Sequence, residues 1–138
     1  MADLVVTVPL SFGLNRWISE GDAAGEPGER WAGELWSGKL WYFGVSGKRP
    51  DIRPGERVYI VYARKLRGYA PLVRLQRSSP NYWYLVRGGG AVAVTIDEPI
   101  IGFRGWRRRW WDREIEKPFL DWRTAGVHDE RTDQGPYR

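Results

Sequence analysis

The stretch from Pro54 to Leu75, PGERVYIVYARKLRGYAPLVRL, reads as a β-hairpin, and the rest of the chain is interpreted around it. Pro54-Gly55 suits a type II turn, because proline presets φ at the second position and glycine accepts a positive φ at the third. The strand predicted over Arg57 to Ala63 then places Val58, Ile60 and Tyr62 on one face, since successive strand side chains alternate. A connection at Arg64 to Leu66 leads into a second strand from Gly68 to Leu75.

Working outward, three more segments read as strands. Leu4 to Leu10, LVVTVPL, is β-branched and is stopped by Pro9. Lys39 to Val45, KLWYFGV, alternates Leu40, Tyr42 and Gly44 with Trp41, Phe43 and Val45. Ala91 to Ile96, AVAVTI, sets Val92, Val94 and Ile96 against Ala91 and Ala93. It follows Arg87-Gly88-Gly89-Gly90, where glycine permits close approach of a phosphate or a neighbouring backbone. No Gly-Lys-Ser/Thr and no helix signal follows that run, so a Walker-type nucleotide site is rejected in favour of a hairpin connection.

Asn15 to Gly38 differs in character, with five acids against two arginines and helix-breaking Gly and Pro. It reads as a helical turn near Arg16 to Glu20 followed by an ordered loop pinned by Trp17, Trp31 and Trp36, or alternatively as a lid over a pocket. After Pro99 the chain becomes IIGFRGWRRRWWDREIEKPFLDWRTAG. Residues 104–113 hold five Arg and one Asp, four of the five net positive charges of the chain. A strand to about Arg109 and a short helix ending before Pro118 are expected. Residues 1–126 are read as one domain and 127–138 as a loose polar tail.

A chain of 138 residues can bury one sizeable core, and the complete lack of Cys excludes disulfides, thiolate nucleophiles and thiolate zinc sites. The single His128 cannot form a histidine pair, and it sits in the tail. Eighteen Arg and four Lys stand against seventeen acids; a G+C-rich genome or nucleic-acid contact both account for this, since the guanidinium fork binds phosphate and stacks on rings. Two Asn and two Gln suggest a thermophile host. No apolar run reaches the length of a membrane span, and MADLVVTVPL has no basic leader, so a soluble cytoplasmic protein without membrane contact is expected.

Pro54-Gly55-Glu56-Arg57-Val58-Tyr59-Ile60-Val61-Tyr62, followed by Lys65-Leu66-Arg67-Gly68-Tyr69-Ala70, resembles the central hairpin of the PUA-like superfamily, in particular its ASCH and EVE branches. The resemblance implies an α+β fold: a small, partly open, mixed or antiparallel β-barrel with a few short helices at its ends. Its members bind RNA or hold a single, often modified, base in a cleft, and some ASCH proteins are hydrolases. The hydrolytic motif does not carry over. Gly38-Lys39-Leu40-Trp41-Tyr42-Phe43 keeps the glycine and lysine but lacks the threonine and glutamate, leaving Lys39 as the one weak catalytic candidate.

The expected function is binding of RNA or single-stranded DNA, or of a modified base within one. Arg104, Arg107, Arg108 and Arg109, interleaved with Trp106, Trp110 and Trp111, supply guanidinium groups for phosphate and rings for bases; the alternative is that the rings pack in the barrel's end while the arginines pair with Asp112, Glu114 and Glu116. Lys65 and Arg67 at the hairpin connection, and Arg87 beside the glycines, are candidates on the same rim. Trp17, Trp31, Trp36 and Trp41 are base-pocket candidates, and a cage requires two or more of them to face one cavity. The rival readings are an ASCH-like hydrolase of RNA or a modified nucleoside, with Lys39 and a carboxylate from Glu20, Asp22 or Glu34, and a non-catalytic regulator docking on a protein partner. No cofactor or metal is expected.

Overall fold

A computed structural model describes residues 3–23, 40–88 and 90–125, together with the backbone of 30–31 and 34–35. The elements in chain order are β1 (Leu4–Thr7), a 3-10 turn (Leu10–Phe12), α1 (Asn15–Ala23), β2 (Arg30–Trp31), β3 (Glu34–Leu35), β4 (Leu40–Ser46), β5 (Arg57–Tyr62), β6 (Lys65–Ser79), β7 (Tyr82–Gly88), β8 (Val94–Thr95), β9 (Trp106–Arg108), a second 3-10 turn (Arg113–Ile115) and β10 (Lys117–Pro118). Six strands form one mixed sheet in the order β4-β7-β6-β5-β1-β9, which does not close on itself. β1 lies parallel to β5, with Leu4 opposite Val58, and antiparallel to β9.

The hairpin read from the sequence is the centre of this sheet. Gly55 takes φ +91°, and the Glu56 N–H donates to the Arg53 carbonyl at 3.0 Å, closing the expected turn. The other end of β5 turns at Ala63 and Arg64, both with positive φ although neither is glycine. Positive φ at both central residues is the geometry that matches strand twist in a two-residue hairpin.

β1 and β5 are buried on both faces, which is why they read as near-continuous apolar runs. On one face Leu4, Val6, Val58, Ile60 and Tyr62 pack with Val45, Leu85 and, from α1 and its approach, Leu14 and Trp17. On the other, Val5, Tyr59 and Val61 pack with Leu66, Ile96, Ile100 and Trp111. α1 therefore covers one side, and the chain from Ile96 to Trp111 covers the other.

Several expectations are corrected. α1 runs nine residues rather than one turn, because Trp17, Glu20 and Ala23 recur at helical spacing and are buried together. β6 extends over fifteen residues, well beyond Gly68 to Leu75, since two partners, β5 and β7, pair with successive halves of it. β7 was not anticipated; its YWYLVRG alternates Tyr82, Tyr84 and Val86 with Trp83, Leu85 and Arg87. The predicted strand over Ala91 to Ile96 reduces to Val94–Thr95 and one bridge from Val92 to Tyr69. That crossing is permitted by Gly68, where a Cβ would meet the Val92 carbonyl oxygen at 2.1 Å and the Trp17 ring at 2.8 Å.

Candidate functional site

A cavity of about 470 Å³ opens between α1 and the β4–β7 edge of the sheet. Half of its lining residues are aromatic. Phe12 and Trp17 come from the helical side, Trp41, Tyr42 and Phe43 from β4, and Tyr82 and Tyr84 from β7, with Val8 and Ile60 beneath. Gly44 contributes to the same surface: a Cβ there would meet the Tyr82 hydroxyl at 2.0 Å, so glycine is what lets that ring lie across β4. The tyrosines brace one another edge to face, Tyr42 to Tyr84 at 5.8 Å and Tyr82 to Tyr84 at 5.5 Å. Such pairs hold rings in place at little further entropic cost.

Arg87 lines this cavity and stands directly opposite Trp41 in the β4–β7 pairing. It is buried, not on a rim as expected, and its Nη2 donates to Glu20 Oε1 at 2.5 Å. Glu20 reaches it from α1 because it shares the buried helix face with Trp17. Burial pushes the Glu20 carboxyl above its ordinary range, and the Arg87 charge only partly opposes this. Burial likewise pulls the Arg87 guanidinium down against the support of Glu20. Among the described residues, Arg87 Nε and Nη1, Trp17 Nε1 and Glu20 Oε2 are buried with no hydrogen-bond partner. Buried polar groups are nearly always paired, so four orphaned atoms in one place mark it out.

Cations sit around the tyrosines of this edge. Arg16 Nη1 donates to the Tyr42 carbonyl at 3.4 Å, and Arg74 Nη2 to the Tyr42 hydroxyl at 3.2 Å. Trp83 has the guanidinium groups of Arg49 and Arg77 within 5.6 and 5.8 Å of its ring centre.

Of the base-pocket candidates, Trp17 and Trp41 both face the cavity. Trp36, Lys39, His128 and the polar tail lie outside the described residues, as do the side chains of Trp31 and Glu34. Asp22 is exposed and pairs with Arg123.

The arginine-tryptophan run lies at the opposite edge of the sheet, on and after β9. Its members have diverged in role. Arg109 Nε donates to Asp3 Oδ2 at 3.1 Å, joined there by Arg113 Nη2 at 2.7 Å. Arg108 pairs with exposed Asp51, and Arg107 lies 4.4 Å over the Phe103 ring. Arg104 is exposed, Trp106 packs against the core, Trp111 is buried, and Trp110 is 46% exposed. The carboxylates that engage these arginines are Asp3 and Asp51, not the Asp112 and Glu114 adjacent in sequence. Glu116 instead accepts from the Tyr59 hydroxyl at 2.6 Å and the Trp111 indole at 2.8 Å. Burial, and then this bond to Glu116, push the Tyr59 hydroxyl upward in pKa.

The hairpin connection divides in the same way. Lys65 is exposed beside the turn. Arg67, expected on the rim, is fully buried: its Nε donates to the Tyr62 carbonyl at 3.1 Å, and its guanidinium lies 5.6 Å from the Tyr62 and Phe119 ring centres. Its position inside a strand that is covered on both faces overrides the rule that hairpin tips carry solvated charge.

The sequence reading gives Arg87 a place on a rim beside the glycines and Glu20 a place as a possible partner of Lys39, and does not bring the two together. A strand reading of Tyr82 to Gly88 would have placed Arg87 on the apolar face with Trp83 and Leu85, and a buried arginine needs a carboxylate partner. Comparison of the chain with protein-family models, with curated proteins and with solved structures finds no match.

Proposed function

We propose that the protein is a nucleic-acid-binding module, a partly open barrel of the PUA-like kind, that takes one unpaired base of RNA or single-stranded DNA into the cavity beside α1. The observation that carries this is the convergence of Trp17, Trp41 and three tyrosines on one cavity that Arg87 also lines. Stacking on such rings is worth about 1 to 3 kcal/mol per base. A base extruded from its strand is read by stacking together with hydrogen bonds to its edge. The hairpin opened by Pro54-Gly55-Glu56 supports the PUA-like reading, and Arg16 and Arg74 at the tyrosine edge support a path for phosphates.

The test is titration of tryptophan fluorescence with labelled single-stranded oligonucleotides at two salt concentrations. Binding tighter than about 100 µM at low salt is expected, because even non-specific binders reach roughly 10⁻⁴ to 10⁻⁶ M at physiological salt. Trp41→Ala should weaken it about tenfold, the equivalent of one stacked base. No binding at low salt rejects the reading.

A further inference from the structure

At the Trp41 end of the cavity the charge is matched inside the fold, since Arg87 stands opposite Trp41 and is bonded to Glu20. The other end carries unmatched charge. Phe43, which lines the cavity, pairs with Leu85, so Trp83 is the next side chain along that face of β7, opposite Val45. Phe43 and Trp83 both pack against the same core cluster. Diagonal neighbours across an antiparallel pair lie about 7 to 8 Å apart, which puts Trp83 one step beyond the cavity wall.

Two guanidinium groups converge on the Trp83 ring. Arg77 stands directly opposite it in the β6–β7 pairing, with Cζ 5.8 Å from the ring centre, and Arg49, from the chain after β4, lies at 5.6 Å. Both arginines are exposed, and no carboxylate among the described residues pairs with either. Arg57, Arg87, Arg108, Arg109, Arg113 and Arg123, by contrast, each have an acid partner. A guanidinium resting against an indole keeps its fork of N–H donors for a second partner, and that fork matches phosphate.

We infer that Arg49 and Arg77, gathered on Trp83, form a second subsite that holds a phosphodiester flanking the base in the cavity, so that the bound strand runs from the cavity toward the β6–β7 turn. This rests on the base-binding reading above and adds the path of the backbone to it. Trp83 is a positioning residue here: partly buried against the core, it keeps both guanidinium groups in one place.

The experiment uses the full chain and oligonucleotides with one central base in an otherwise abasic strand, either fully charged or with an uncharged methylphosphonate at one linkage at a time. Arg49→Ala/Arg77→Ala is the variant, and its urea midpoint should match the parent, because neither side chain is buried or ion-paired. On the charged strand it should bind about tenfold more weakly at low salt, with the slope of log affinity against log salt lower by about 1.4, roughly 0.7 for each lost contact. Losing two charges weakens the binding of any polyanion, so the methylphosphonates decide. In the parent, neutralising one linkage beside the base should cost roughly fivefold; in the variant the same linkage should cost nothing, because each change removes the contact that the other needs.

If every methylphosphonate costs the variant what it costs the parent, this inference is overturned, while tighter binding of the base-bearing strand than of a base-free one leaves base binding intact. An unchanged salt slope in the variant overturns it as well. If the base-bearing strand binds the parent no better than the base-free strand, base binding itself fails, and with it the path that starts from the cavity. Should the alanine variant lose stability, Arg49→Gln/Arg77→Gln, which removes the charges and keeps most of the side-chain length, repeats the comparison.

Discussion

Two buried carboxylates at opposite edges of the sheet are treated in contrasting ways by the same chain. Asp3, beside β9, has both oxygens engaged: Oδ1 accepts from the Arg57 N–H at 3.0 Å, and Oδ2 from Arg109 Nε at 3.1 Å and Arg113 Nη2 at 2.7 Å. Burial alone would raise its pKa, but these donors outweigh it and hold the carboxyl below its ordinary 3.8. Glu20, under the aromatic cavity, has one oxygen bonded to Arg87 and the other bonded to nothing among the described residues, and its pKa moves up from 4.5. A charge saturated by its own chain is a clamp. A charge pair left part-satisfied, packed beside a cavity walled by rings, keeps unmet hydrogen-bonding groups inside the fold.

The largest effect should come from stranding one member of the part-satisfied pair. Arg87→Met leaves Glu20 buried without a counter-charge and should lower unfolding stability by about 3 to 5 kcal/mol in urea titrations. Glu20→Met/Arg87→Met should return to within about 1 kcal/mol of the parent, because apolar replacement of a whole buried pair is often close to neutral. Additive losses would mean that the two residues are not coupled as described.

Asp3→Asn should cost about 2 to 3 kcal/mol by the same measurement, since it weakens four charge-assisted bonds at once, Arg113 donating through both Nε and Nη2, while Arg109 and Arg113 remain partly open to water.

The two carboxylates should also differ in the sign of their pH dependence. Asp3 has a folded pKa below its unfolded value, so its contribution is present above 3.8 and is lost as pH falls through the folded value. Glu20 has a folded pKa above 4.5, so the stability linked to its protonation is lost as pH rises through that value. Urea midpoints taken from about pH 2 to 7 should show the acid limb flattened in Asp3→Asn. In Glu20→Gln, the opposing slope above pH 4.5 should disappear.

The smallest stability effect is expected at the exposed part of the β9 edge. Arg104→Ala/Arg107→Ala should change unfolding by no more than about 0.5 kcal/mol. If these side chains follow the phosphates of a bound strand, the slope of log affinity against log salt should fall by about 1.4, roughly 0.7 for each contact to a single strand. An unchanged slope would confine nucleic-acid contact to the cavity edge.

Local chemistry was enough to read the hairpin, the Pro54-Gly55 turn and the strand through Leu40 to Val45, because turn dihedrals and side-chain alternation depend on near neighbours. Even there, Ala63 and Arg64 escaped notice as a tight turn, since neither carries the Asn-Gly signal that usually marks positive φ. Trp17 and Trp41 were legible as aromatic candidates from residue type alone, whereas their meeting at one cavity depends on α1 packing beside the distant β4–β7 edge.

The sequence by itself determined a cysteine-free, arginine-rich, mostly β chain built around one central hairpin, properties that follow from composition and from contacts a few residues apart. Only the tertiary structure decided which arginines are spent on the fold. Asp3 meets Arg109 across 106 residues and Glu20 meets Arg87 across 67, pairings set by strand order and helix packing that no local pattern encodes. A guanidinium has the same formula in either place; burial and the number of acceptors around it separate a saturated clamp from a part-satisfied pair.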